Sequence, residues 1–112
     1  MLLTVATDNQ KSAAYCVNDR CHGAMIVIPA LENPTDVVRM EIYHGPLLSP
    51  AQGSNAALAA DEDTNWSEVD VDISTGGGVI SAVTKDWILR GLWIRIVVDT
   101  AQTSNRTFQI IW

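Results

Sequence analysis

Two short stretches of this chain hold the side chains best suited to ligating a metal or attacking a substrate. Cys16, Cys21 and His22 place three soft ligands close together, and His44 is the only other histidine. A structural zinc site takes four such ligands at a recognisable spacing. Cys16, Cys21, His22 and His44 supply the number without the spacing, so two ordinary thiols and a polar loop histidine are the simpler reading. In the second stretch Asp61, Asp63 and Asn65 alternate, and Asp72 follows Asp61 by eleven residues. That imitates a calcium loop. Trp66, however, stands where such a loop needs glycine, and its last ligand would be Asp rather than a bidentate Glu. This excludes an EF-hand and leaves open a looser carboxylate site at Asp61, Glu62 and Asp63, against the alternative that these side chains are simply solvated.

Catalytic motifs are absent from the sequence. Gly76-Gly77-Gly78 matches a phosphate cradle in composition alone, because no Lys-Ser pair follows and no helix begins there. There is no Gly-x-Ser-x-Gly elbow, and pairing Cys16 or Cys21 with His44 has only residue type behind it. Acidic side chains are too numerous on the exposed faces to single out a glycosidase pair. The expectation is a chain that is not an enzyme and carries no cofactor. The N-terminal MLLTVATDNQ has no basic region, long apolar stretch or cleavage site, which predicts neither a standard secretory signal nor a membrane span. Asn65-Trp66-Ser67 and Asn105-Arg106-Thr107 match the glycosylation triplet, but without a secretory route the match has no consequence. Cys16 and Cys21 then read as thiols of a protein made in a reducing cytoplasm.

Charge narrows the partners further. Seven basic against thirteen acidic residues give a net charge of -6, which repels phosphate backbones and anionic membranes. Neither nucleic acid nor a membrane is expected as a direct partner. With 47% hydrophobic and only 18% charged residues among 112, the composition describes one folded domain over residues 1–112.

The elements that must position these residues are strands, since alternation of period two recurs and no long segment holds a 3.6-residue apolar period. The pattern predicts strands at Leu2 to Ala6, Ala13 to Val17, Ala24 to Pro29, Asp36 to His44, Trp66 to Ile73, Val79 to Val83, Leu92 to Asp99 and Arg106 to Trp112. Turns are expected at Asn18-Asp19-Arg20, Thr75 to Gly78 and Lys85-Asp86. The last two strands read as a hairpin across the polar Thr100 to Asn105. Ala24 to Pro29 is apolar on both faces, which suits a strand covered on each side or one at a subunit contact. Residues 45–65 form a long irregular loop, with a short helix at Asn55 to Ala60 as one option; loops of this length are usually functional. The fold class is therefore all-β, a single antiparallel β-sandwich, jelly-roll-like, of seven or eight short strands.

Four tryptophans, Trp66, Trp87, Trp93 and Trp112, lie at or near strand ends or faces. Core packing accounts for Trp66 and Trp112. Trp93, between the inward Leu92 and Ile94, points outward, as an interface or sugar-stacking aromatic does.

The stretches NWSEVDVDISTGGGVISAV and GLWIRIVVDTAQTSNRTFQIIW, and more weakly GAMIVIPALENPTDVVRMEIYHG, resemble the strand-turn pattern of small β-sandwich structural proteins of tailed-phage virions, such as capsid decoration (cement) proteins. The resemblance is one of length and pattern and carries over no site residue. It implies a bacteriophage virion protein, made in the host cytoplasm, that binds the major capsid protein or another virion protein as a homo-oligomer and stabilises the shell. The contacts expected under this reading are Trp93, Val97 and Ile111, with Ile26 and Val27 as further candidates, because these apolar residues exceed what one small core needs. A carbohydrate-binding module, with Trp93 or Trp87 stacking on a sugar, and a tail-associated structural protein are the alternatives.

Overall fold

Alternation in the strands sends one set of side chains to a shared interior and leaves two outer faces. The computed structural model describes residues 1–17, 22–33, 35–45, 63–68, 73–74, 80–88 and 93–111. Within them lie nine strands: β1 (Leu2–Val5), β2 (Tyr15–Cys16), β3 (His22–Val27), β4 (Val37–Tyr43), β5 (Trp66–Glu68), β6 (Ile73–Ser74), β7 (Ile80–Ile88), β8 (Trp93–Val98) and β9 (Arg106–Ile111), with one 3₁₀ turn at Asp63–Asn65. All pairings are antiparallel. One sheet has the order β1-β9-β3-β7; the other has the order β2-β8-β4-β5, with β6 also paired to β4. The chain is an all-β sandwich. Counting β5 and β6 as one interrupted strand along β4 gives eight strands in the jelly-roll order.

The core lies between the sheets. Leu3 and Val5 of β1, Phe108 and Ile110 of β9, and Ile26 of β3 meet Val38, Met40 and Ile42 of β4 and Ile94, Ile96 and Val98 of β8 in one buried cluster. The register confirms the facing: Val38 opposes Val98, Met40 opposes Ile96 and Ile42 opposes Ile94. Among the described residues no helix is long and apolar enough to cross a membrane.

Several expectations change. β8 and β9 do not form a hairpin, because β8 pairs with β2 and β4 whereas β9 pairs with β1 and β3. Alternation says which side chains face inward, not which sheet a strand joins, and residues 99–105 carry the chain from one sheet to the other. Gln102, fully buried, holds that crossing. Its Oε1 accepts the Glu32 N–H at 2.9 Å, and its Nε2 donates to the Thr100 carbonyl at 2.8 Å and to Asp36 Oδ2 at 3.3 Å. Lys85-Asp86 is not a turn but lies inside β7, where the pairing with β3 shifts register between His22 and Ala24. The polar pair marks that irregularity. The segment expected as one strand from Trp66 appears as β5 and β6, with residues 69–72 outside the described set. The helix option at Asn55 to Ala60 and the glycine turn at Thr75 to Gly78 also lie outside the described residues.

Burial sets the expected cost of losing a side chain. Phe108→Ala opens a cavity in the centre of the core and should cost about 3–5 kcal/mol. Leu2→Ser, at an outward position, should change stability by no more than about 0.5 kcal/mol. Urea denaturation of both variants checks the assignment; equal losses would contradict the facing of β1 and β9.

Candidate functional site

The outer face of the second sheet holds the densest polar cluster. Strand register places Arg95 of β8 directly opposite Glu41 of β4, and Glu41 opposite Glu68 of β5. Arg95 is fully buried although it points away from the core. A lone guanidinium there would be prohibitively costly. Its Nε donates to Glu41 Oε2 at 2.6 Å and its Nη2 to Asp63 Oδ1 at 2.8 Å. Trp66 covers it, with the guanidinium carbon 4.2 Å from the ring centroid, a cation–π contact shielded from water. Tyr43 meets Trp66 edge-on at 5.4 Å, and Trp93 and Ala14 pack against the same group. Lys11 adds a second cation on Asp63 Oδ1 at 2.7 Å. These neighbours hold the Asp63 carboxyl below its ordinary 3.8, through hydrogen bonds from Lys11 and then Arg95 that outweigh its partial desolvation.

This cluster pins the base of the long loop. Asp63 and Trp66 lie just after it, and Tyr43, His44 and Gly45 just before. The His44 N–H donates to the Asn65 carbonyl at 2.9 Å. Gly45 passes so close to Tyr43 and Asn65 that a Cβ would stand 2.5 Å from the Tyr43 hydroxyl and 2.9 Å from Asn65 Cγ, a space only glycine fits. The charges are spent on one another, so the arrangement does structural work: it fastens the 3₁₀ turn and β5 over β8.

A second buried polar group ties loops together at one end of the sandwich. Asp36 accepts from Thr100 Oγ1, the Asn33 N–H at 3.2 Å, Asn33 Nδ2 at 3.4 Å and Gln102 Nε2 at 3.3 Å. Burial pushes its carboxyl up, but these four hydrogen bonds together win and hold it below 3.8.

The outer face of the first sheet is different in kind. One row across it runs Leu2, Gln109, Val27; Ile111 follows Gln109 on the same side of β9; and β1 and β9 add the rung Thr4, Thr107. None of these six residues is charged, while Lys85 and Asp86 lie farther along the sheet in β7. Leu2 is 65% exposed and Ile111 43%, the large apolar side chains most open to solvent among the described residues. The Thr4 and Thr107 hydroxyls are bonded to each other at 2.9 Å.

Against the expected contact residues, Ile111 is exposed on this face and Val27 is half-buried there. Ile26 is a correction: it is fully buried in the core with Ile28, while Val27 between them takes the outward position. Val97 is also a correction. It points outward but is only 5% exposed, set between Lys11 and Arg39, whose long side chains flank it. Trp93 is half-buried beside Trp66 on the opposite face from Ile111, so the expected contacts do not form one patch. Cys16 is a free, half-buried thiol in β2, and His44 is exposed. Cys21, Asp61, Glu62, Asp72, Gly76 to Gly78 and Trp112 lie outside the described residues. Among the described residues, no three His, Cys, Asp or Glu side chains converge to hold a metal. Asp63, read as a possible calcium ligand, has an oxygen already shared by two cations. Reasoning from sequence missed Arg95, Glu41 and Gln102. The signal for Arg95 was there: a single cation in the apolar run Trp93–Val98.

No protein-family model, curated protein or solved structure matches this chain.

Two outcomes follow from the buried charges. Glu41→Gln leaves Arg95 short of its closest counter-charge and should cost about 3–5 kcal/mol, whereas the double change Arg95→Met with Glu41→Met should recover most of that loss; urea denaturation measures both, and additive losses would refute the pairing. Asp63 and Asp36 both have depressed folded values, so the stability they contribute is present above about pH 4 and lost as pH falls through those values. Unfolding free energy should hold steady on their account from about pH 8 to about pH 5 and drop below about pH 4. Asp36→Asn should flatten part of that acid slope; an unchanged slope would contradict the assignment.

Proposed function

We propose that this chain is a non-catalytic structural protein of a bacteriophage virion, a decoration protein that binds and stabilises the assembled shell. The observation that carries this reading is the outward side of β1 and β9, where Leu2 and Ile111 stand exposed among the uncharged Thr4, Thr107 and Gln109 on a chain of net charge -6. A solvated surface has no need to leave Leu2 and Ile111 open among these uncharged neighbours, whereas a module covered by a neighbour does. Jelly rolls recur in viral capsid and lectin domains, which is support by analogy of fold. The strand-turn resemblance to virion proteins points the same way. Burial against a shell would add to a stability that a domain of this size has in modest supply.

A second reading, a carbohydrate-binding module, is favoured by one arrangement. Tyr43, Trp66 and Trp93 gather on the outer face of the other sheet beside the exposed Asp63. Trp93 is the stacking residue in that reading.

The deciding experiment mixes the purified chain with empty shells of the phage whose genome encodes it, followed by gradient sedimentation and shell melting. Saturable co-sedimentation with a raised shell melting temperature is the expected result. No binding to shells, together with a glycan-array signal that disappears in Trp93→Ala, would replace the virion reading with the carbohydrate one. Binding to isolated tails instead of shells would move the protein to the tail.

A further inference from the structure

We infer that the outer face of the second sheet binds a neutral sugar, whose ring stacks on Trp93 and one of whose oxygens accepts from Trp66 Nε1 and Arg95 Nη1. This deepens the carbohydrate reading, on which the ligand class rests, and gives the protein a site on the sheet opposite Leu2 and Ile111.

Two buried donors are the first argument. Trp66 is 6% exposed and Arg95 fully buried, and neither Trp66 Nε1 nor Arg95 Nη1 has a hydrogen-bond partner among the described residues. They belong to one stacked unit, with the guanidinium carbon 4.2 Å from the indole centroid. The other two guanidinium nitrogens are engaged: Nε donates to Glu41 and Nη2 to Asp63. A native interior seldom leaves an N–H without an acceptor, because the group has given up its hydrogen bond to water. Two such donors in one stack call for an oxygen.

Charge decides what kind of oxygen. Lys11 and Arg95 are matched by Glu41 and Asp63, so the cluster holds no surplus positive charge to draw an anion. Glu68 stands opposite Glu41 in the register, and the chain carries a net charge of -6. A carboxylate, sulfate or phosphate would add an uncompensated charge there. A hydroxyl or ring oxygen accepts the same N–H groups without one.

The aromatic side chains supply the rest of the site. Tyr43 and Trp93 are half-buried and pack against Trp66, so each keeps part of its ring open beside the residue that carries the first donor. A sugar offers an apolar C–H face and a polar edge, which suit an aromatic surface with a few convergent donors. Both donor atoms lie beneath the surface, and the sugar oxygen reaches them as Trp93 turns on its open side, a rotamer change of a kind common on binding.

Proton–nitrogen NMR of the full chain tests this, with glucose, galactose, mannose and N-acetylglucosamine each titrated to about 0.1 M and glucuronate as the charged control. At least one neutral sugar should shift the Trp66 indole N–H together with the Trp93 signals, and glucuronate should bind about tenfold more weakly or not at all. Trp66→Phe keeps a ring over Arg95 and removes the N–H, so it should fold normally and weaken binding about tenfold. The double change Arg95→Met with Glu41→Met removes Nη1 without leaving a buried charge and should weaken binding by a similar factor. Trp93→Ala should abolish it. If none of the four sugars binds, the carbohydrate reading and this inference fall together. If a sugar binds and Trp93→Ala abolishes it, while Trp66→Phe and the double variant bind as the wild type does, the carbohydrate reading stands and the assignment of the two donors is overturned. Tighter binding of glucuronate than of any neutral sugar overturns the neutral ligand.

Discussion

Every feature of this protein follows from a constraint of period two: in a strand, alternate side chains face opposite ways, so a sandwich that fills its interior must also dispose of two outer faces. The interior is filled conventionally by Leu3, Val5, Ile26, Val38, Met40, Ile96, Phe108 and their neighbours. The outer faces are handled in opposite ways. On the second sheet, a buried guanidinium is neutralised by Glu41 and Asp63 and roofed by Trp66, which turns that face into a second, polar layer of structure. On the first sheet the outward side chains of β1 and β9, Leu2, Thr4, Thr107, Gln109 and Ile111, carry no charge, and Leu2 and Ile111 stand open to solvent.

That asymmetry separates scaffold from surface. Arg95 lies in the middle of β8, the strand that joins β2 to β4, and its partners come from three different parts of the chain: Glu41 in β4, Asp63 after the long loop, and Trp66 at the start of β5. The cluster thus couples the loop base to the sheet, while Gln102 and Asp36 couple the loops at the crossing between sheets.

The strands were largely legible from the residues, because alternation in Val37–Tyr43, Trp93–Val98 and Arg106–Ile111 states which side chains go inward. Pairing was not legible. Alternation is a property of one strand, whereas sheet membership depends on contacts made far along the chain, so β8 and β9 looked like a hairpin and belong to different sheets. The same limit explains Ile26 and Val97. A run such as Met25-Ile26-Val27-Ile28 is apolar at every position, so composition does not say which residue is core; and Val97 is outward by phase yet covered by Arg39 of β4 and by Lys11, which meets it at an isolated bridge. Arg95 shows the converse: alternation with Ile94 and Ile96 gives it an outward phase, but its burial depends on Trp66 and Asp63, which return to it only through the fold.

The central claim of the proposed function is that the exposed Leu2 and Ile111 side of β1 and β9 is covered in the working state of the protein and the Trp93 side of the second sheet is not. Hydroxyl-radical footprinting, comparing the dilute chain with the chain at high concentration and on shells, reads this residue by residue. The account predicts protection of Leu2 and Ile111 with Trp93 unchanged. Protection of Trp93 while Leu2 and Ile111 stay fully reactive would contradict it.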